Sequence, residues 1–352
     1  MCLNPIRIKN KSKKIDIFHG DNLYIEIPCG KCSECKKKKH SDYMVRSYAE
    51  YIDTIEKGGY VFFETLTYSN RYVPKFKFNG KEYLCFSKDD VRHFFVRLRR
   101  YLDYDGFDVK NKLKYFFVSE YGGKTHRPHY HFLCFMKNKD ISPYILKEYI
   151  RKSWKFGIID TRPVEKGVVN GIGAISYVAK YVVKDDDYVK LLGEKIENFT
   201  KYVNENSGKK MKEKLLRRIN NIKPFHLQSK GFGISLIDSL SDEELLDGVC
   251  SVSDKRQVYK KVAIPDYIMR KVYYDCVYNE EGNLCWKLNE RGIDRKVKKL
   301  DDNINLLVNR YEDIYRNIYN YDISLTDNVD TIKYFKDNID MWNTQCFHKI
   351  GD

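Results

Sequence analysis

Residues 113–136, LKYFFVSEYGGKTHRPHYHFLCFM, read as two strands joined by a short loop, and the rest of the fold is organised around them. Leu113 to Tyr121 is dense in aromatic and β-branched residues, Gly122 to Pro128 is loop, and His129 to Met136 resumes strand character. Phe132, Leu133, Cys134 and Phe135 are apolar at consecutive positions, the pattern of a central strand covered on both faces. At its start, Arg127-Pro128-His129-Tyr130-His131 sets two imidazoles at alternate positions. Alternate strand residues share a face about 7 Å apart, so the two rings can converge on one metal ion. Polar rings on a buried strand need partners, because unpaired burial costs a few kcal/mol. Two ordinary hydrogen-bonded histidines satisfy that need, and so does a shared ion.

An ion requires a third ligand. Glu120 precedes the loop that returns the chain to His129, and His126 within the loop is the other candidate. A carboxylate with two imidazoles suits Mg²⁺ or Mn²⁺ and leaves positions for water and a phosphate oxygen. The register decides between outcomes. Should Tyr121 pair opposite His129, Glu120 points to the wrong face; a one-residue change brings it round.

Outward from this pair, Tyr60 to Tyr68 reads as a further strand and Gly157 to Val164 as another. Ser41 to Lys57, Tyr144 to Lys155 and Ala174 to Lys184 read as helices. Ser87, with Asp90 three residues on, caps a basic helix through Arg100 that carries Val91, Phe94, Phe95 and Leu98 on one face. The expected fold class is α+β: a central antiparallel β-sheet flanked by helices, with a Cys-rich N-terminal arm and a helical C-terminal region. Three regions are expected, a basic Cys-rich segment over 1–50, a catalytic domain over 51–190 and a mostly helical region over 191–352.

The 352 residues hold 64 Lys and Arg against 49 Asp and Glu, a formal charge of +15, with 29 tyrosines and an aromatic fraction of 14%. That balance favours polyanionic partners. Nucleic acid leads, since aromatic rings stack on unpaired bases while cations neutralise phosphates. No apolar run approaches the ~18 to 20 residues that span a bilayer, and the basic start, Met1 to Lys14, has no apolar block behind it. A cytoplasmic protein without a membrane partner is expected, its ten cysteines reduced or metal-bound.

Tyr177-Val178-Ala179-Lys180-Tyr181-Val182-Val183-Lys184 places two tyrosines four apart, on one face of a helix, each followed three residues later by Lys180 or Lys184. A phenol with pKa near 10 is a poor nucleophile at neutral pH, and an ammonium and a metal-polarised phosphate both help it. An amphipathic helix with half-buried tyrosines fits the fragment equally. Cys29, Cys32 and Cys35, with Cys2 as a fourth, have the spacing of a structural zinc site. Arg92, Arg97, Arg99 and Arg100 of the basic helix, with Arg127 and the two lysines, are candidates for the DNA backbone. Gly123-Lys124-Thr125 mimics the end of a phosphate-binding loop, but the required upstream glycine is Val118, so no helicase is expected in the chain.

Three motifs occur in order: Phe63-Glu64-Thr65-Leu66-Thr67-Tyr68, Arg127 to Phe132, and the doubled Tyr-x-x-Lys. This set resembles that of HUH-superfamily rolling-circle replication initiators, and more narrowly the two-tyrosine initiators of gokushoviruses, a branch of the microviruses. Met1-Cys2-Leu3, Pro28-Cys29-Gly30-Lys31-Cys32-Ser33-Glu34-Cys35 and Ser119-Glu120-Tyr121-Gly122 are similar to the same family, and Ser229 to Ile234 continues the likeness faintly. The resemblance implies that Tyr177 and Tyr181 are nucleophiles and that His129, His131 and Glu120 hold the metal. It implies nicking of single-stranded or supercoiled origin DNA through a 5′-phosphotyrosine, release of a 3′-hydroxyl to a host polymerase, help from a host helicase, and rejoining after one round in the host cytoplasm. A transposase or relaxase would share this chemistry. A non-catalytic zinc-stabilised nucleic-acid-binding protein would need the charge and aromatics without the His pair and tyrosines.

Overall fold

A computed structural model of the chain describes residues 2–9, 24–78, 80–160, 162–184, 187–206, 208–210, 213, 220–252, 260–278, 282–299, 301–302 and 305–306. Met1, Cys346 and the rest of the chain beyond 306 lie outside the described residues. The chain divides into two compact units, Met1–Arg270 and Lys271–Asp352.

In the first unit the order is β1 (Ile6–Lys9), β2 (Tyr24–Ile27), α1 (Ser33–Glu56), β3 (Tyr60–Tyr68), β4 (Lys75–Phe78), β5 (Lys81–Leu84) and α2 (Lys88–Tyr104). There follow β6 (Leu113–Tyr121), β7 (Pro128–Met136), α3 (Pro143–Ser153), β8 (Gly157–Ile159), α4 (Val164–Gly167), α5 (Ile172–Lys180), α6 (Asp187–Asn206) and β9 (His226–Gln228). Five strands form one antiparallel sheet in the order β8-β3-β7-β6-β9, which puts the histidine strand at the centre. The expected α+β class with a central antiparallel sheet is what the chain forms.

Side chains alternate across this sheet, and the two faces pack against different helices. Phe62, Leu66, Phe117, Tyr130 and Phe132 join Phe94, Leu98, Ile150 and Trp154, so α2 and α3 cover one face. Val61, Phe116, Val118, Leu133 and Phe135 join Ile175, Val178 and Phe232, with Tyr43 and Tyr51 packed alongside, so α1 and α5 cover the other. Burying a large apolar side chain contributes about 1.5–3 kcal/mol, and both layers are rich in fully buried rings. Between α2 and the sheet, the buried hydroxyls of Tyr68 and Tyr130 lie 3.1 Å apart. Tyr68 donates to Asp90 at 2.8 Å, and Tyr130 accepts from the Ser87 backbone N–H at 3.0 Å. Ser87 caps α2 by accepting from the Asp90 N–H, as the sequence predicts.

Several expectations need amending. The first helix starts at Ser33, not Ser41, so Cys35 and the run Lys36 to Lys39 are helical. The helix expected over Ala174–Lys184 spans Ile172–Lys180; Tyr181 caps it, and the N–H groups of residues 181–183 bond three residues back in a tight turn. Two successive β-branched valines there disfavour continuation. Strand β8 ends at Ile159, and Val164 opens a helical turn. The region beyond residue 190, expected to be mostly helical, also contributes strands: β9, the hairpin β10 (Val249–Val252)–β11 (Lys260–Ala263), and in the second unit β12 (Tyr274–Tyr278)–β13 (Leu284–Leu288).

The loop Ser229 to Ile234 is tied to α1. Arg46 donates to the Phe232 carbonyl through Nε and Nη2, and the fully buried Glu50 accepts from the Gly233 N–H at 2.9 Å. A Cβ at Gly233 would stand 2.7 Å from the Arg46 carbonyl oxygen and Cβ, so glycine permits that approach. Lys114 and Lys137 complete the pairing of Glu50 at 2.8 and 2.6 Å.

Candidate active site

The register places Glu120 opposite His129 and Val118 opposite His131. Directly opposed residues share a face, so Glu120, His129 and His131 lie together on the α1/α5 side of the sheet. The arrangement that would turn Glu120 away does not occur. Across the other edge of β7, Thr65 pairs with His131. His131 is 7% exposed; its Nε2 lies 3.1 Å from Glu120 Oε2, and its Nδ1 lies 2.9 Å from Thr65 Oγ1. Adjacent ligands on an octahedral ion with bonds of about 2.1 Å are about 3 Å apart, so the His131–Glu120 spacing suits a shared divalent ion. The Thr65 hydroxyl can accept from or donate to Nδ1, and so can hold either imidazole tautomer. Lys184 pairs with the other Glu120 oxygen.

Burial alone would lift the Glu120 carboxyl; hydrogen bonds from His131 and Lys184 outweigh it and hold the group below its ordinary value. Burial and then the neighbouring His131 push His129 down, which favours the neutral imidazole that metals bind. His126, the alternative third ligand, stacks on Tyr188 at 4.8 Å between ring centres instead.

The tyrosines come down on this floor from α5. Tyr181 stacks on His131 at 5.0 Å, and Tyr177 meets the same ring edge-on at 5.7 Å. The Tyr181 hydroxyl donates to that of Tyr177 at 2.7 Å. Burial, the Tyr177 hydrogen bond and the Glu120 charge all raise the Tyr181 pKa. Tyr177 is 45% exposed. Each phenol has a cation near it. The Lys184 ammonium sits 5.2 Å above the Tyr181 ring, while Arg162, held by Asp160 and lying over Phe63, is close enough to Tyr177 for their charges to interact. Lys180 is exposed at the end of α5 and joins none of these contacts. Sequence reasoning does not pick out Thr65 or Arg162. Thr65 lies in a quoted motif, but Arg162 sits in a loop with no pattern.

The arginine candidates are placed elsewhere. Helix α2 covers the opposite face, so Arg92, Arg97, Arg99 and Arg100 are not brought to the tyrosines. Arg97 donates to the Ser153 carbonyl, Arg99 lies over Tyr115, and Arg92 pairs with Asp89. Arg127 donates to the Tyr68 carbonyl and to Asn70, fastening the loop to the end of β3.

The four candidate thiols do meet. Pairing of Ile6 with Ile27 in the β1–β2 ladder brings Cys2 to Cys29, and Gly30 takes φ 72° in the turn that follows. All four sulfurs lie within 4.8 Å of one another, with Cys2–Cys32 at 3.8 Å and Cys29–Cys35 at 4.0 Å. Tetrahedral zinc with Zn–S bonds of about 2.3 Å separates its sulfurs by about 3.8 Å, so this cluster could hold a metal such as zinc. Backbone N–H groups of Lys31 and Cys32 lower Cys29, those of Cys35 and Leu3 bring Cys32 down to about 6, and burial lifts Cys35 to about 12. Among the described residues it is the one group of three or more such ligands drawn so tightly together.

No helix among the described residues is long and apolar enough to cross a membrane. Residues 61–186 match the family model of the ORF2-type replication-associated protein. The chain is 32% identical over 185 residues to replication-associated protein ORF4 of Chlamydia phage 1, covering 48% of this chain and 41% of that protein. It is 27% identical over 308 residues to replication-associated protein ORF2 of Spiroplasma virus 4, covering 76% of this chain and 92% of that one. A third relative, replication-associated protein VP4 of Bdellovibrio phage phiMH2K, is 26% identical over 201 residues, 52% of this chain and 58% of that protein. The chain therefore spans less than half of the Chlamydia phage relative. No solved structure matches it at a significant level. Residues 61–186 thus carry an ORF2-type replication-associated protein domain, and these likenesses support the resemblance of the chain to a phage rolling-circle replication initiator.

Proposed function

We propose that the chain initiates phage DNA replication by nicking single-stranded origin DNA through a tyrosine and later rejoining the strand. The observation that carries this reading is the meeting of two phenols with His131, Glu120 and Lys184 on one face of the sheet. A pure DNA-binding protein has no need of that cluster.

His129, His131 and Glu120 would hold Mg²⁺ or Mn²⁺, which when bound polarises the scissile phosphate. Tyr177 is the first nucleophile in this reading. It is the more exposed phenol, and negative charge developing on its oxygen meets the Tyr181 O–H and Arg162. The bond from Tyr177 Oη to phosphorus forms as the bond from phosphorus to the 3′-oxygen breaks. The phenolic proton passes through solvent to the leaving 3′-oxygen, giving a 3′-hydroxyl for a host polymerase. The phosphotyrosine keeps a phosphodiester bond for rejoining, so no nucleotide is consumed. Tyr181 is placed to attack the regenerated origin in the second transfer. A zinc ion on the four thiols would be structural.

Incubation with single-stranded origin DNA and Mn²⁺ tests the reading. A covalent protein–DNA band is expected, lost on adding chelator and in the Tyr177→Phe/Tyr181→Phe double variant. Tyr181→Phe alone should still form the band, and Tyr177→Phe should form little. A DNA shift with no such band from the unmodified chain would leave only a nucleic-acid binder.

A further inference from the structure

An open groove of about 440 Å³ runs away from Tyr181. Six lysines line it, Lys31, Lys36, Lys39, Lys184, Lys190 and Lys223, and among the described residues no acidic side chain does. They arrive from separate parts of the chain: the Cys29–Cys35 turn, the first turns of α1, the segment after α5, the start of α6 and the approach to β9. No run in the sequence announces them. Cations gathered this way repel one another, and a line of phosphates relieves the repulsion. The volume is that of a small-ligand pocket, too small to admit a duplex yet sufficient for the backbone of an unpaired strand. Lys184 joins the groove to the site described above through Glu120, and the Tyr181 ring forms its inner end.

We propose that this groove carries the sugar–phosphate backbone of the single strand beside the scissile phosphate, and that its lysines, not the arginines of α2, supply the sequence-independent affinity. The inference rests on the nicking reading for what lies at the end of the groove; the charge and shape of the groove stand apart from it. The Cys turn acquires a role as well, since it holds Lys31 at the rim.

The test is binding of a labelled oligothymidine of about twenty nucleotides, followed by fluorescence anisotropy between about 50 and about 200 mM salt. Each phosphate contact adds about 0.7 to the slope of log affinity against log salt for single strands. Lys31→Ala/Lys39→Ala/Lys223→Ala should therefore flatten the slope by about 2 and weaken binding roughly 100-fold near 0.1 M salt. Arg92→Ala/Arg100→Ala on the opposite face should leave the slope as it is. If the triple variant melts early, Lys223→Ala alone should flatten the slope by about 0.7. An unchanged slope in folded groove variants, or a flattened one in the α2 variant, overturns the inference. The Tyr177→Phe/Tyr181→Phe protein should bind with the unmodified slope, so absence of nicking would sink the catalytic reading and leave this measurement standing.

Discussion

A single methyl group at residue 122 should disable the site without unfolding the protein. Gly122 follows β6, and an ideal Cβ there would lie 2.7 Å from His129 Cε1 and 3.0 Å from its Nε2. Carbon atoms settle at about 3.5–4.0 Å, so the imidazole must retreat by roughly 0.8 Å. The glycine backbone is not in the left-handed region, so alanine is compatible with the chain path, and stability should hold or rise by up to about 1 kcal/mol. The damage therefore falls on ligand geometry. A displacement of about 1 Å in a reacting constellation costs on the order of 100-fold in rate, or about 2.7 kcal/mol. The assay is single-turnover nicking of single-stranded origin DNA across a Mn²⁺ titration, with thermal unfolding alongside. Gly122→Ala should nick on the order of 100-fold more slowly, need more Mn²⁺ and melt no lower than the unmodified chain. A Gly122→Ala protein that nicks at the original rate with the original Mn²⁺ requirement would show that His129 is not a ligand.

Two further outcomes are expected. Burial lifts the carboxyl of Glu64, whose Oε2 has no hydrogen-bond partner, from 4.5 to about 7. Between those values the folded chain keeps a proton that the unfolded chain releases, so stability falls as pH rises from 4.5 to 7 and stays lower above it, by up to about 3 kcal/mol. Urea midpoints at pH 5 and pH 8 should differ less in Glu64→Gln than in the unmodified chain, and an equal difference would contradict this account. The chain should also bind one zinc through Cys2, Cys29, Cys32 and Cys35, measured by metal analysis, and Cys29→Ser should lose it and melt at a lower temperature. Full retention of zinc in that variant would rule out the four-thiol site.

The strands that carry the site were legible because their pattern is local. Tyr60–Tyr68 and Leu113–Tyr121 run to the expected residues, and the third strand begins at Pro128, one residue early. Cap chemistry likewise placed the start of α2. The three-residue strand β9 was not legible, since His226-Leu227-Gln228 has no period and is ordered by its partner Phe116–Val118. The α2 arginines look like DNA contacts in the sequence because a basic helix reads the same from either side of a sheet.

By itself the sequence determined which residues alternate on a strand, which phenols share a helix face and which cysteines stand at ligand spacing, because each is a matter of a few bonds along one backbone. Only the tertiary structure decided that Glu120 lies opposite His129, that Thr65 and Arg162 join the site, that α2 faces away from it, and that scattered lysines line one groove. Those facts depend on strand register and on which face each helix covers, and both are set by packing between segments far apart in the chain.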